Sequence, residues 1–387
     1  MLKVQKFLKV RSLEELKSDP FNLLVTVKDD LVLLKYNQFN SDFSNEIVKE
    51  CRGLILEKDT WNVVCHPFHK FFNLGEVNAY KGINLTEAVA AEKVDGSIIK
   101  IFYYGDKWCI ATNGTIDASD ATTDDGVSFK DLFYDVISKP EFEKLVGTFD
   151  TKNTYLFEIV HPAIQIVVDY QNKKELVLLG IIKNENVDGV VYDYDILNVR
   201  KKMEKSFKGL NIRYPRFFDM SNVSDVAELE SLADIENVNG NTFEGYVASQ
   251  LYNGLVIGRV KIKSPKYVNL HHLATGEGVT NHLIEVLTNN ELDEFEVYLK
   301  KIPKQIADEY VALKKRYFAL IDYLYKESVI YREKSNIMTR KDLALSIIKD
   351  VKRGCSGFIF KMVDDNTATP ELLLNNVGVK KIKELLK

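Results

Sequence analysis

The stretch EKVDGSIIKIFYY, residues 92–104, decides how this chain is read. From Ser97 onward the β-branched and aromatic residues predict a strand. The Asp95-Gly96 pair ahead of it predicts a tight turn, and the apolar run TEAVAA (86–91) lies on the other side. Lys93 therefore falls between two strands, at the rim of a pocket. There, burial or nearby cations favour a neutral amine, and a neutral lysine is a nucleophile. Taken alone, the same residues also suit a plain surface turn with Asp-Gly at its tip.

Working outward, short strands separated by turn signals are predicted at LLVTV (23–27), LVLLKY (31–36), CRGLILE (51–57), WNVVCHP (61–67) and KWCIATN (107–113). Further strands are expected at TYLFEIV (154–160), IQIVVDY (164–170) and ELVLLGII (175–182). Tyr252, Asn253 and Gly254 predict a hairpin between EGYVAS (244–249) and LVIGRVKIK (255–263). Helical spacing marks FKDLFYDVISK (129–139), DILNVRKKMEKSF (195–207) and VSDVAELESLADI (223–235). From about residue 280 helix formers recur at 3.6-residue spacing, in NHLIEVL, FEVYLKKI, QIADEYVALKKRYFALIDYLY and RKDLALSIIKDV. The expected fold class is thus α+β: an antiparallel-sheet domain over residues 1–268, then an all-helical C-terminal domain over 269–387.

The chain has 387 residues, with 45% hydrophobic and 28% charged side chains. That is room for two globular domains, and it excludes disorder or a coiled coil as the main architecture. No apolar run reaches the ~20 residues of a membrane span, and the charged first twenty residues hold no apolar signal core. A cytoplasmic protein with no membrane partner is expected. Cys51, Cys65, Cys109 and Cys355 form no CxxC pair and read as reduced thiols. His66 and His69, and the adjacent His271 and His272, lack the acidic or sulfur neighbours of a metal cage. The net charge of −4 argues against coating nucleic acid through bulk charge. It is unevenly spread: from residue 261 onward 22 Lys and Arg oppose 17 Asp and Glu, so the helical part is basic and the body acidic. This asymmetry suits a polyanion near the C-terminal part, or ordinary solvated helix faces.

Several other positions supply what transfer of a nucleotidyl group needs. Lys261 and Lys263, two apart on a strand, share a face and suit an α-phosphate whose charge grows in the transition state. Glu158 and Glu244 are single carboxylates in apolar strands, costly to bury without a cation or metal. Arg52 and Lys70 could clamp further phosphates.

Together these islands form an ordered set: ECRGLILE, HKFFNLGE, EKVDGS, FEIVHPAIQIVVDYQ, EGYVA and KIKSPKYVNLHHL. The set resembles the covalent nucleotidyltransferases, and within them the bacteriophage RNA ligase 1 family of the tRNA-repair type, over residues from about 30 to 275. The resemblance implies an ATP-dependent ligase that joins the 5′-phosphate and 3′-hydroxyl ends of broken or single-stranded RNA. It implies ATP as co-substrate, Mg²⁺ or Mn²⁺ as the metal, and a monomer working in the cytoplasm, that of the host cell if phage-encoded. Lys93 resembles the lysine that carries AMP, with Asp95 and Gly96 completing its motif. Tyr36, Arg52, Lys70, Glu158, Glu244, Lys261 and Lys263 resemble ATP-binding residues. Tyr267 matches a further functional tyrosine, and Asp293 falls where the family carries a metal-binding aspartate. Asn113 departs from the pattern, standing where a basic residue is usual, which puts one phosphate contact in doubt. The helical domain is expected to select the RNA.

Three rival readings are weighed. An mRNA guanylyltransferase or a DNA ligase would typically have an arginine two residues after the Lys-x-Asp-Gly motif and an OB-fold after Lys263. Here Ser97 and Ile98 follow the motif, and helices are expected after the strand. A non-catalytic RNA-end-binding protein would not need an intact Lys93, Glu158, Glu244, Lys261 and Lys263. The third rival is a scaffold with solvated lysines, which the ordered motifs oppose.

Overall fold

The structure is a computed structural model. It describes the chain apart from residues 39, 124, 166, 167, 169, 186–189, 222, 224–227, 229–242, 264–278, 289–303, 366, 367, 376 and 387. Tyr267, Asp293, His271 and His272 lie outside the described residues, as do FEVYLKKI and nearly all of VSDVAELESLADI.

Two compact units divide the chain, Met1–Val268 and Asn269–Lys387. In the first, strands β1 (Leu23–Lys28), β2 (Leu31–Tyr36), β3 (Arg52–Glu57) and β4 (Val63–Cys65) form an antiparallel sheet in sequential order. Eleven more strands make a second sheet: β5 (Phe72–Asn73), β6 (Val89–Glu92), β7 (Ser97–Tyr104), β8 (Lys107–Thr112), β9 (Asn153–Val160), β10 (Glu175–Lys183), β11 (Asp193–Tyr194), β12 (Ile212–Arg213), β13 (Phe217–Phe218), β14 (Gly245–Tyr252) and β15 (Leu255–Lys263). Its order is β13-β6-β14-β15-β11-β10-β9-β7-β8, with β12 on β10 and β5 on β15 in parallel pairings. The hairpin at Asn253-Gly254 closes β14 on β15, both residues having positive φ as such a turn requires.

On one face of this sheet the helix Phe129–Val136 buries Leu132, Phe133 and Val136 in a core with Ile99, Ile101, Tyr155 and Phe157. The predicted helix over 129–139 in fact breaks. Ile137 is extended, and Ser138 with Glu141 makes a reciprocal cap that starts a second helix, Lys139–Val146. IQIVVDY is a correction. Pro162–Ile164 turns in a 3-10 helix, and the described residues of 165–170 belong to no strand. Pro162 offers no N–H to a ladder, and the Val168 N–H is spent on the Asp95 carboxylate instead.

The second unit is helical in its described residues, from Val279–Thr288 through the long helix Lys304–Ser335 to Val379–Leu385. Leu283, Leu287, Tyr310, Tyr317, Leu324 and Ile359 lie in its core. The α+β class expected from the sequence is therefore the one observed. Among the described residues no helix is long and apolar enough to cross a membrane.

Candidate active site

Lys93 occupies the connection between β6 and β7, and both neighbours of that connection are pinned. Its own N–H donates to the Gly245 carbonyl at 2.8 Å, and Glu92 N–H donates to Arg216 O at 2.7 Å. Downstream, the buried Asp95 carboxylate accepts from Val168 N–H at 2.7 Å while its N–H donates to Tyr170 Oη at 2.9 Å. Gly96 then passes so close to β9 that a Cβ would collide with the Ile159 carbonyl and crowd the Glu158 side chain. Aspartate and glycine thus have separate duties here. One anchors the loop and the other lets it lie on the strand that bears Glu158.

The Lys93 ammonium is 23% exposed and ion-pairs with the Glu244 carboxylate, itself 4% exposed. The second Glu244 oxygen is buried and has no hydrogen-bond partner. Glu158 is equally enclosed, on β9 between β7 and β10, opposite Ile98 and Val177. It is not an edge-strand surface residue. Burial pushes its carboxyl up to about 8, the Glu244 and Asp95 carboxylates adding to the effect against the Lys93 and Arg52 cations. Burial also raises Glu244, opposed by Lys93 and Lys263.

A cavity of about 330 Å³ opens above this floor. Lys93, Arg52, Glu158 and Lys261 all line it, as does Asn113, and Ile98, Phe217 and Val247 give it an apolar wall. In the β14–β15 ladder Gly245 faces Lys263 and Val247 faces Lys261, which sets Lys263 beside Glu244 and Lys261 in the cavity lining. Two of the cations share the Phe71 ring. The Arg52 guanidinium carbon stands 5.3 Å from its ring centroid and Lys261 Nζ 5.8 Å.

Lys70 is placed differently. It lines an adjoining cavity of about 550 Å³ that shares Phe71, Val256 and Arg259 with the first. Its ammonium rests 5.1, 5.0 and 5.6 Å from the ring centroids of Tyr36, Phe43 and Phe72. Tyr36 is buried, which raises a phenol, but the Lys70, Arg52 and Lys261 cations outweigh burial and hold it below its usual value. Tyr36 thus links the two cavities electrostatically. The structure brings together Lys93, Arg52, Glu158, Glu244, Lys261 and Lys263, with Lys70 and Tyr36 next door.

The sequence reading did not single out Phe71 or the Glu92 network. Glu92 is buried and bound by Arg213 at 3.0 Å, with Arg216 at 3.4 Å, and it lines the Lys93 cavity. A charged residue at the end of an apolar strand was the only signal for it. His66 and His69 meet edge to face, with Nε2 atoms 3.3 Å apart. Burial drives His66 down to about 3, the neighbouring His69 and the Lys183 carbonyl acting in opposite directions, so the pair is neutral. Among the described residues no group of three or more His, Cys, Asp or Glu side chains could enclose a metal ion. The unpartnered Glu244 oxygen and the enclosed Glu158 do fit a divalent cation of the kind that takes one or two carboxylates and completes its shell from phosphates and water.

A family described as RNA ligase matches residues 50–267, which span every strand from β3 to β15. An RNA ligase of Rhodothermus phage RM378 is 25% identical over 346 residues, covering 78% of this chain and 77% of that protein. A protein of Autographa californica nuclear polyhedrosis virus, provisionally named a bifunctional polynucleotide kinase/RNA ligase, is 29% identical over 299 residues, 72% of this chain and 39% of its own length. Among solved structures, an archaeal ATP-dependent RNA ligase aligns with a TM-score of 0.45 at 11% identity, over 74% of this chain and 72% of its own.

Proposed function

Because the chain belongs to the bacteriophage-type RNA ligase family, we propose that it joins RNA 5′-phosphate and 3′-hydroxyl ends at the expense of ATP, through AMP carried on Lys93. The observation that carries this reading is the Lys93 ammonium set against buried Glu244, in a cavity that also holds Arg52 and Lys261.

The base of ATP enters against the apolar wall of Ile98, Phe217 and Val247. Its α-phosphate meets Lys93, flanked by Lys261 and Lys263. The Lys93 amine, once its proton has passed to a carboxylate or water, attacks phosphorus, and the bond to pyrophosphate breaks. Arg52 takes the departing phosphates, with Lys70 and Tyr36 beyond Phe71 on their way out. A divalent cation bound through Glu158 and Glu244 would supply charge neutralisation at the phosphates. The resulting P–N bond retains the free energy of ATP. AMP then passes to an RNA 5′-phosphate oxygen, freeing Lys93, and the RNA 3′-hydroxyl finally attacks that 5′-phosphate with AMP as leaving group. Asn113 lines the cavity without a charge, so the triphosphate depends the more on Arg52 and Lys70. The helical unit selects the RNA.

The test is a 5′-labelled, single-stranded RNA with a free 3′-hydroxyl, incubated with ATP and Mg²⁺. Circles whose label resists phosphatase are the expected product, and Lys93→Ala should make none. A wild type that seals nicked duplex DNA and leaves the RNA linear contradicts the reading.

A further inference from the structure

Lys100 is outside the group that the chemistry requires, yet it is 0% exposed, which is rare for a lysine. It lies on β7 in the larger sheet, and its ammonium crosses to the four-stranded sheet to donate to the Gly53 carbonyl. That acceptor is itself irregular. Lys35 pairs with Arg52 and Leu34 with Leu54, so Gly53 is an extra residue in β3. Such a bulge leaves its residue outside the ladder, and Gly53 has φ +86. A Cβ there would stand 2.6 Å from the Asn113 carbonyl oxygen and 3.0 Å from Lys100 Nζ, so only glycine fits. The bulge is thus locked between a buried amine and the end of β8. Arg52, one residue before it, lines the Lys93 cavity with Nη1 buried and without a hydrogen-bond partner.

We infer that Lys100 is a positioning residue for ATP capture: by holding the Gly53 carbonyl it sets the bulge that aims Arg52 at the phosphates. The inference rests on the proposed role of Arg52. An apolar side chain of similar length would fill the same space without the cost of burying an ammonium, and it would lack only the donor. Burial lowers the Lys100 pKa; Cys65 opposes this, and Lys35 and Arg52 add to it. The strap does not depend on charge, since a neutral amine still donates an N–H to a carbonyl.

The test uses the full chain and two separate steps: lysyl-AMP formation as a function of ATP, and sealing of RNA already adenylated at its 5′ end, which needs no triphosphate. In Lys100→Met, loss of one buried hydrogen bond is expected to raise the KM for ATP about tenfold. The kcat and the sealing of adenylated RNA should stay at the wild-type level. Adding Lys100→Met to Arg52→Ala should raise KM no further, because the two act as one unit. Should Lys100→Met fail to fold, Gly53→Ala displaces the same carbonyl and is expected to give the same split. Equal losses in both steps, or an unchanged KM in Lys100→Met or Gly53→Ala, would overturn the strap. An unchanged KM in Arg52→Ala would instead remove the phosphate role of Arg52.

Discussion

Around Lys93 the carboxyls of Glu158 and Glu244 are raised chiefly by burial, against the pull of the Lys93, Arg52 and Lys263 cations. Glu158 is held up to about 8 by burial and by the Glu244 and Asp95 carboxylates. The folded protein therefore keeps a proton there that the unfolded chain loses near its ordinary value of 4.5. With more protons bound in the folded state, stability falls as pH rises. The thermal midpoint of wild type should drop relative to Glu158→Gln between about pH 5 and 8, then run parallel above it. Parallel melting profiles across that whole range would refute a proton on Glu158. Lys261→Ala and Lys263→Ala should each impair lysyl-AMP formation, and full activity in both would take them out of the site. Glu158, Lys261 and Lys263 were legible in the sequence because they stand in apolar strands, whereas Lys93 lies in the loop before β7 and Glu244, expected within a strand, lies one residue ahead of β14. Lys100 was not legible. In SIIKIFYY it looks like an ordinary solvent-facing break, and only the packing of the neighbouring sheet shows that it points inward.

At the level of elements, the hairpins and long strands could be read from their β-branched residues and turn signals. The misreadings came where a backbone group is claimed by something distant in sequence. The Val168 N–H serves Asp95 in the Lys93 loop, 73 residues away, so the described residues of IQIVVDY belong to no strand. Local propensity holds no trace of such a partner. The broken helix at 137–139 was, by contrast, open to a closer reading, since Ser138-x-x-Glu141 is a helix-start signature. Ser138→Ala should cost about 1 kcal/mol of stability and leave lysyl-AMP formation intact. Equal stability in a denaturant titration would mean that the cap contributes nothing. Gly96→Ala should do the reverse of a harmless change. Its Cβ forces the loop off β9, and adenylation should fall by more than stability does.

For the whole molecule, the charge of −4 divides unevenly: residues 269–387 carry 19 Lys and Arg against 17 Asp and Glu, residues 1–268 carry 33 against 39, and four cations of that acidic body, Arg52, Lys93, Arg259 and Lys261, line one cavity. A chain cut after Val268 should still form lysyl-AMP while sealing RNA poorly, if the helical unit selects substrate. Undiminished sealing by that fragment would assign RNA selection to the first unit. Everything turns on Lys93 as the carrier of AMP. The direct measurement is incubation with ATP labelled at its α-phosphate and Mg²⁺, followed by denaturing electrophoresis. The expected result is a label fixed to the wild-type protein, dependent on the metal, released by acid and absent in Lys93→Ala. A wild type that stays unlabelled while it seals RNA, or a Lys93→Ala variant that takes up the label, would contradict it.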